Sequence, residues 1–155
     1  WCRMDLVNSQ GDAEDFCKVL LSYPGRPVVD MEICSNNHFN PYTYQVYGTY
    51  GSLAGTMNQI DWKYYIPEEA PPIRLIKEPL PGPSYCSEKL VFHEGKWTVS
   101  EEDKNLFNSM SRRFYSNLYD ALTAGAALTI PPEQVLQQIA VIEECHRQNP
   151  MPRKF

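Results

Sequence analysis

The sequence predicts an α+β fold: an open, mainly antiparallel β-sheet with helices packed on one face. Three observations carry this. From residue 15 apolar side chains recur at every second position, in runs broken by Gly, Pro and Asn, the pattern of half-buried strands. The aromatic and β-branched run Tyr42-Thr-Tyr-Gln-Val-Tyr47 is strand by composition. Beyond residue 100 the apolar period lengthens to three and four, in two segments. Strands followed by two amphipathic helices give α+β rather than alternating α/β.

Taken in order, residues 1–14 are polar and Gly-containing and are expected to be a lead-in with little structure. Cys17, Val19, Leu21 and Tyr23 then share one strand face, and Val29, Met31 and Ile33 share the next beyond Pro24-Gly25-Arg26. A two-residue loop would set Val19 opposite Asp30 and Cys17 opposite Glu32, apolar against charged. A three-residue loop sets Val19 opposite Met31, Leu21 opposite Val29 and Lys18 opposite Glu32, a favourable cross-strand charge pair. The three-residue loop is therefore expected, with Gly25 or its neighbour left-handed.

Further strands are expected at residues 42–47, 52–56 and 59–66, the first two joined by Gly48-Thr-Tyr-Gly51. Residues 67–83 hold six prolines, which cannot donate to a ladder, so an irregular excursion with a short edge strand at Ile73–Ile76 is expected. Leu90-Val-Phe-His93 and Lys96-Trp-Thr-Val99 flank Glu94-Gly95 and read as a small hairpin. Ser100 with Asp103, or Thr98 with Glu101, reads as the capping start of the first helix. Its stripe is Phe107, Met110, Phe114, Leu118 and Ala121, and Gly125 sits where its C-terminus is wanted. The second helix opens at Pro132, with Val135, Ile139 and Ile142 as its stripe.

A chain of 155 residues is the length of one domain and can bury roughly 70% of its unfolded surface, so residues 1–155 are expected to form a single domain. A net charge of −5 argues against binding nucleic acid, which needs a basic face. No apolar run reaches the ~18 residues of a membrane span. The chain opens on Trp1, so a processed or truncated N-terminus is expected. The five cysteines (Cys2, Cys17, Cys34, Cys86 and Cys145) show no C-x-x-C spacing, so reduced thiols in a cytoplasmic protein are expected, with no metal site.

Several motifs also carry a resemblance. Gly11-Asp-Ala-Glu-Asp-Phe16, Tyr47-Gly-Thr-Tyr-Gly51 followed by Ser52-Leu-Ala-Gly55, and the helix pair over residues 114–144 together resemble the C-terminal substrate domain of the glucose–fructose oxidoreductase / inositol dehydrogenase (Gfo/Idh/MocA) family. The resemblance implies a dihydrodipicolinate-reductase-like C-terminal domain that binds substrate and oligomerises. It also implies NAD or NADP in a full-length parent. The family's glycine-rich dinucleotide turn, its Glu-Lys-Pro step and its Asp-x-x-x-His helix have no counterpart here. Lys77-Glu78-Pro79 has similar letters in another order and place. The N-terminal Rossmann domain is expected to lie outside this chain, which alone is expected to be inactive, with no catalytic, cofactor-binding or metal-binding residue. Pro131 stands where the family usually has a helix-capping Thr.

Asn36, Asn37 and His38 form the best candidate substrate-binding cluster, since amides and imidazole offer both donors and acceptors to a sugar or polyol. The same three residues suit a solvated turn ahead of Pro41. His93 reads as an exposed hairpin residue and His146 as a helix-end cation. Tyr42, Tyr44, Tyr47, Tyr50, Trp62, Tyr64 and Tyr65 suit either sugar stacking or, preferably, a homo-oligomer interface on the uncovered sheet face. The function expected is the substrate-binding and oligomerisation domain of an NAD(P)-dependent sugar, inositol or polyol oxidoreductase. The alternative is a stand-alone binding or dimerisation module using the same aromatic face.

Overall fold

Seven strands and two α-helices follow one another in the computed structural model, which describes residues 1–72, 75–79, 82 and 89–150. Every ladder is antiparallel, and the strands fall into two sheets, so the fold is α+β. The first sheet runs β1 (Cys2–Asp5), β2 (Phe16–Leu21), β3 (Val29–Cys34); the second runs β4 (Tyr44–Tyr47), β5 (Gly51–Gly55), β6 (Gln59–Tyr64), β7 (His93–Thr98). The helices are α1 (Leu106–Ala124) and α2 (Pro132–Gln148). The chain divides into two compact units, residues 1–39 with 113–155, and residues 40–112, the second boundary falling inside α1.

In the first unit the β2–β3 register is the expected one: Lys18 faces Glu32, Val19 faces Met31 and Leu21 faces Val29. The ladder stops at that last pair, so residues 22–28 form a longer connection than the three-residue loop expected. Its turn closes through the Arg26 N–H to the Tyr23 carbonyl at 3.0 Å. Gly25 takes φ +73°, a conformation costly for residues with a Cβ.

Residues 1–14 correct the expectation. Cys2 to Asp5 pair with β2, Cys2 facing Val19 and Met4 facing Cys17. Cys2 and Met4 are buried while Arg3 is exposed, so a period-two alternation was already present in that short stretch. Loop 6–14 is pinned by Asp15. Its carboxylate accepts the N–H groups of Val7, Asn8 and Ser9 at 2.7, 2.6 and 2.7 Å.

α2 covers the β1 side of this sheet's apolar face, while Val29, Met31 and Ile33 of β3 on the same face stay exposed. Cys2, Met4, Val19 and Cys145 are buried together, with Cys17 and Val141 packed against them. The outer edge of β1 is closed by amide side chains instead of another strand. The Cys2 N–H donates to Gln148 Oε1 at 2.8 Å and the Met4 N–H to Asn149 Oδ1 at 3.2 Å. Asn149 Nδ2 donates to the carbonyls of Cys2 and Cys145 at 3.3 and 3.0 Å. One primary amide thus satisfies a strand edge and a helix C-terminus at once.

α2 begins as expected on Pro132, with Pro131 as an N-cap that makes no side-chain hydrogen bond. His146 and Arg147 occupy its last turn, where the helix dipole favours cations. The connection from α1 passes Gly125 at φ +67°. It is held by Asn117, which donates to the Ala127 carbonyl and accepts from the Thr129 N–H, at 3.0 and 2.8 Å.

In the second unit, Gly48 and Gly51 close the β4–β5 turn, N–H to carbonyl at 2.8 Å. The hairpin expected at Glu94-Gly95 is absent. Those residues lie within β7, paired along the whole of β6, with Trp62 facing Gly95. The glycine serves close approach rather than reversal: an added Cβ would sit 2.3 Å from Trp62 Cε2. Of the edge strand expected at Ile73–Ile76, residues 73 and 74 lie outside the described residues, and Leu75 and Ile76 are not in a strand. α1 starts later than expected. Glu101–Asp103 form a 3-10 turn in which Ser100 Oγ bonds Asp103, and Asn105 caps α1 through its Oδ1 to the Asn108 N–H at 3.2 Å.

Candidate functional site

The candidate residues Asn36, Asn37 and His38 follow β3, beside the loop that Asp15 organises. Asn36 is half-buried and its Oδ1 receives Asn8 Nδ2 at 3.4 Å. Its own Nδ2 is buried and makes no hydrogen bond of normal geometry among the described residues, facing Asp15 at longer range. Asn37 Oδ1 accepts the Phe39 N–H at 3.0 Å, an Asx turn, and its own N–H donates to the Cys34 carbonyl. His38 is exposed. The three lie together, but two of the amides are occupied in part by holding the loop. Asp15 is held below the usual carboxylate range by the backbone N–H groups of Val7 and Asn8, then Ser9, with Asn36 close by adding to the effect.

Under α2 three thiols meet. Cys2 Sγ lies 4.0 Å from Cys17 Sγ, and Cys145 is buried beside Cys2. Burial, then the Cys2 thiol, pushes Cys145 up to about 11, and burial also raises Cys2 and Cys17. Thiols so raised are poor nucleophiles at neutral pH. They act as core packing, beside a cavity of about 260 Å³ between α2 and the sheet. Among the described residues no group of three or more His, Cys, Asp or Glu is arranged to hold a metal ion. Cys86 lies outside the described residues.

The second sheet sorts its side chains sharply. On one face lie Tyr44, Val46, Trp62, Tyr64 and Trp97, all exposed although apolar or aromatic. Its border carries a polar pair, His93 Nε2 to Glu69 Oε2 at 2.7 Å, with the Tyr64 ring 5.4 Å from the imidazole. His93 is thus a strand residue with a carboxylate partner, not a hairpin tip. Of the remaining aromatics in the expected set, Tyr47 lies on the opposite face, and Tyr50 packs edge-on against Tyr65 at 5.7 Å. That opposite face carries alternating charges: Asp61 faces Lys96, and Lys63 faces Glu94. These charges escaped the sequence reading because Glu94-Gly95 was read as a turn. The signal was the interleaving of charges with aromatics in Asp61-Trp-Lys-Tyr64 and Glu94-Gly-Lys-Trp97.

Among the described residues, the opening of α2 does not fit the pyrophosphate of a nicotinamide dinucleotide. Pyrophosphate is held by backbone N–H groups at a helix N-terminus after a strand and a glycine turn. α2 opens instead with Pro131 and Pro132, which have no N–H, and with Glu133 in its first turn. The strand ladders are all antiparallel, so no βαβ unit leads into either helix. No helix of the described residues is long and apolar enough to cross a membrane.

A family model described as an oxidoreductase family, C-terminal alpha/beta domain, matches residues 3–150. No curated protein matches the chain, and no solved structure does.

Proposed function

We propose, since the chain belongs to the Gfo/Idh/MocA oxidoreductase family as its C-terminal α/β domain, that it serves as the substrate-binding and oligomerisation domain of an NAD(P)-dependent oxidoreductase acting on a sugar, inositol or related polyol. The observation that carries this reading is the extent of the family match, residues 3–150, which leaves almost none of the chain for another role. Hydride transfer and nucleotide binding belong to the family's other half. No residue here is assigned a catalytic role, and the cofactor is NAD or NADP bound outside these residues. The working compartment proposed is the cytoplasm, where thiols such as Cys2 and Cys17 stay reduced.

Asn36, Asn37 and His38 are proposed as one set of polar substrate contacts, His38 contributing an exposed ring. The oligomer interface proposed is the aromatic face bearing Tyr44, Val46, Trp62, Tyr64 and Trp97. Exposed aromatic surface of this kind favours association, because aromatics bring large apolar area at low entropic cost. The same face supports the alternative of a stand-alone dimerisation or binding module.

Sedimentation velocity on the chain tests the interface. A dimer or larger species that Tyr44→Asp converts to monomer is expected. A strictly monomeric wild-type chain would remove the oligomerisation role. Binding of NADH by the chain itself would contradict the division of labour.

A further inference from the structure

The two edges of the first sheet end differently. On β1 the outward N–H groups of Cys2 and Met4 are taken by the Gln148 and Asn149 amides. β3 is the opposite edge, with no strand beyond it among the described residues. The Ser35 N–H donates to the Asp15 carbonyl at 2.9 Å, and bonding along an antiparallel ladder alternates. Ile33, Met31 and Val29 therefore turn their backbone groups toward β2, and Glu32 and Asp30 turn theirs outward. Among the described residues nothing hydrogen-bonds those outward N–H and C=O groups. Such a row of unpaired groups is a template for one more strand.

The two faces of β3 define what that strand must carry. On one face Val29, Met31 and Ile33 are 49%, 41% and 60% exposed. Met31 and Ile33 also line the cavity of about 260 Å³ that reaches Val141 and Ile142 of α2, so apolar side chains beside them would extend an existing apolar face. On the other face Asp30 and Glu32 share one cation, Lys18 Nζ, at 2.7 and 3.2 Å. One net negative charge is left at the edge. Side chains directly opposite each other in a ladder meet on the same face, and like charges there are destabilising. Two copies of β3 paired antiparallel about Asp30, Met31 or Glu32 would set acid against acid. A strand with basic residues at those places would not.

We infer that the outer edge of β3 is a docking site for an extended segment of another protein in which lysine or arginine alternates with apolar residues. Laid antiparallel, its basic residues lie opposite Asp30 and Glu32 and exchange backbone hydrogen bonds with them. Its apolar residues lie beside Val29, Met31 and Ile33. Main-chain bonds set the register, and the acids set the sign of the charge accepted. The site uses none of the residues proposed above for substrate contact or oligomerisation.

Amide hydrogen exchange of the whole chain, followed by NMR with the synthetic peptide acetyl-Thr-Val-Lys-Val-Lys-Ile-Thr-amide, tests it. Saturable slowing is expected at the Asp30 and Glu32 amides, with little change at Val29, Met31 and Ile33, which already bond β2. The same peptide N-methylated at both lysines keeps its charge but loses the donors that face the edge, so it should give no slowing. An analogue with glutamate in place of both lysines should give none either. Glu32→Lys should weaken binding of the lysine peptide about fivefold. The methylated peptide is read on the unaltered chain, so the test stands if that variant does not fold. Equal protection by the methylated peptide would overturn strand addition. Equal protection by the glutamate analogue would overturn the basic partner. No saturable protection by the lysine peptide would overturn the site itself. Protection at Asp30 and Glu32 that rises with protein concentration alone would give the edge to a second copy and overturn the assignment.

Discussion

The indole of Trp62 lies across Gly95 on the neighbouring strand, so close that a Cβ at residue 95 would sit 2.3 Å from Trp62 Cε2. The ring thereby covers a stretch of edge-strand backbone that a glycine would otherwise leave bare, an arrangement that steadies strand edges. Gly95→Ala should therefore destabilise the second unit by ~1 kcal/mol, although Ala is ordinarily better than Gly in a strand. In a Trp62→Ala background the same substitution should be neutral or stabilising. A double-mutant cycle by urea denaturation reads the coupling, and additivity of the two changes would refute the contact.

Asn149 is the corresponding point in the first unit. Its amide serves the Met4 N–H and the carbonyls of Cys2 and Cys145. Asn149→Ala removes all three bonds and leaves part-buried backbone groups unpaired, at a cost of about 1–3 kcal/mol. Hydrogen exchange should accelerate at the Met4 amide before the rest of the sheet. Unchanged exchange there would mean that the edge is held otherwise.

Pro131 leaves α2 without a side-chain cap, and its backbone at φ −75°, ψ 153° already has N-cap geometry. Pro131→Ser should add an acceptor for the first turn, worth about 1 kcal/mol, against about 0.5 kcal/mol lost with proline's rigidity. A small rise in Tm is expected. A fall would show that the Pro131–Pro132 pair holds the connection more than a cap would.

Two carboxylates give a pH signature. Asp15 is held below its ordinary value of 3.8 by the Val7, Asn8 and Ser9 N–H groups. Its contribution is therefore complete above that value and lost as pH falls through the depressed one. Protection of those three amides should collapse on acidification in step with Asp15. Glu144, hydrogen-bonded by Arg147 and Gln148, is lowered to about 2 from 4.5, and should titrate there by carbon-detected NMR. Arg147→Ala should move it back up. Protection at Val7, Asn8 and Ser9 that survives Asp15→Asn unchanged would refute the loop role.

The hairpin register was legible because only one pairing sets Lys18 against Glu32 and Val19 against Met31, and the structure has that pairing. The helix pair was legible from its apolar period and from Pro132, but the expected stripes were not the packing faces: Phe107, Met110 and Phe114 of α1 and Val135, Ile139 and Ile142 of α2 are exposed, and α2 packs through Val141 and Cys145. Two readings failed for one reason: a residue type was given its commonest meaning. Polar, Gly-containing residues 1–14 were read as a lead-in, yet Cys2 and Met4 alternate with Arg3 and build the edge strand over which α2 packs. Glu94-Gly95 was read as a turn, yet the glycine accommodates an indole from a strand more than thirty residues earlier, as the Trp62–Gly95 register requires. Such tertiary contacts leave no local mark. The charged face of the second sheet was hidden by the same misreading, because Asp61 faces Lys96 and Lys63 faces Glu94 only once β7 is continuous. The polar cluster at residues 36–38 was found, but not that Asn37 closes a turn on Phe39.

We propose that this chain handles the substrate and not the nucleotide of a family oxidoreductase. Saturation-transfer NMR of the chain, with myo-inositol, D-glucose and NADH in parallel samples, tests it most directly. Transfer to the ring protons of at least one polyol, and none to the adenine protons of NADH, is predicted. Transfer to adenine with none to either polyol would contradict the account.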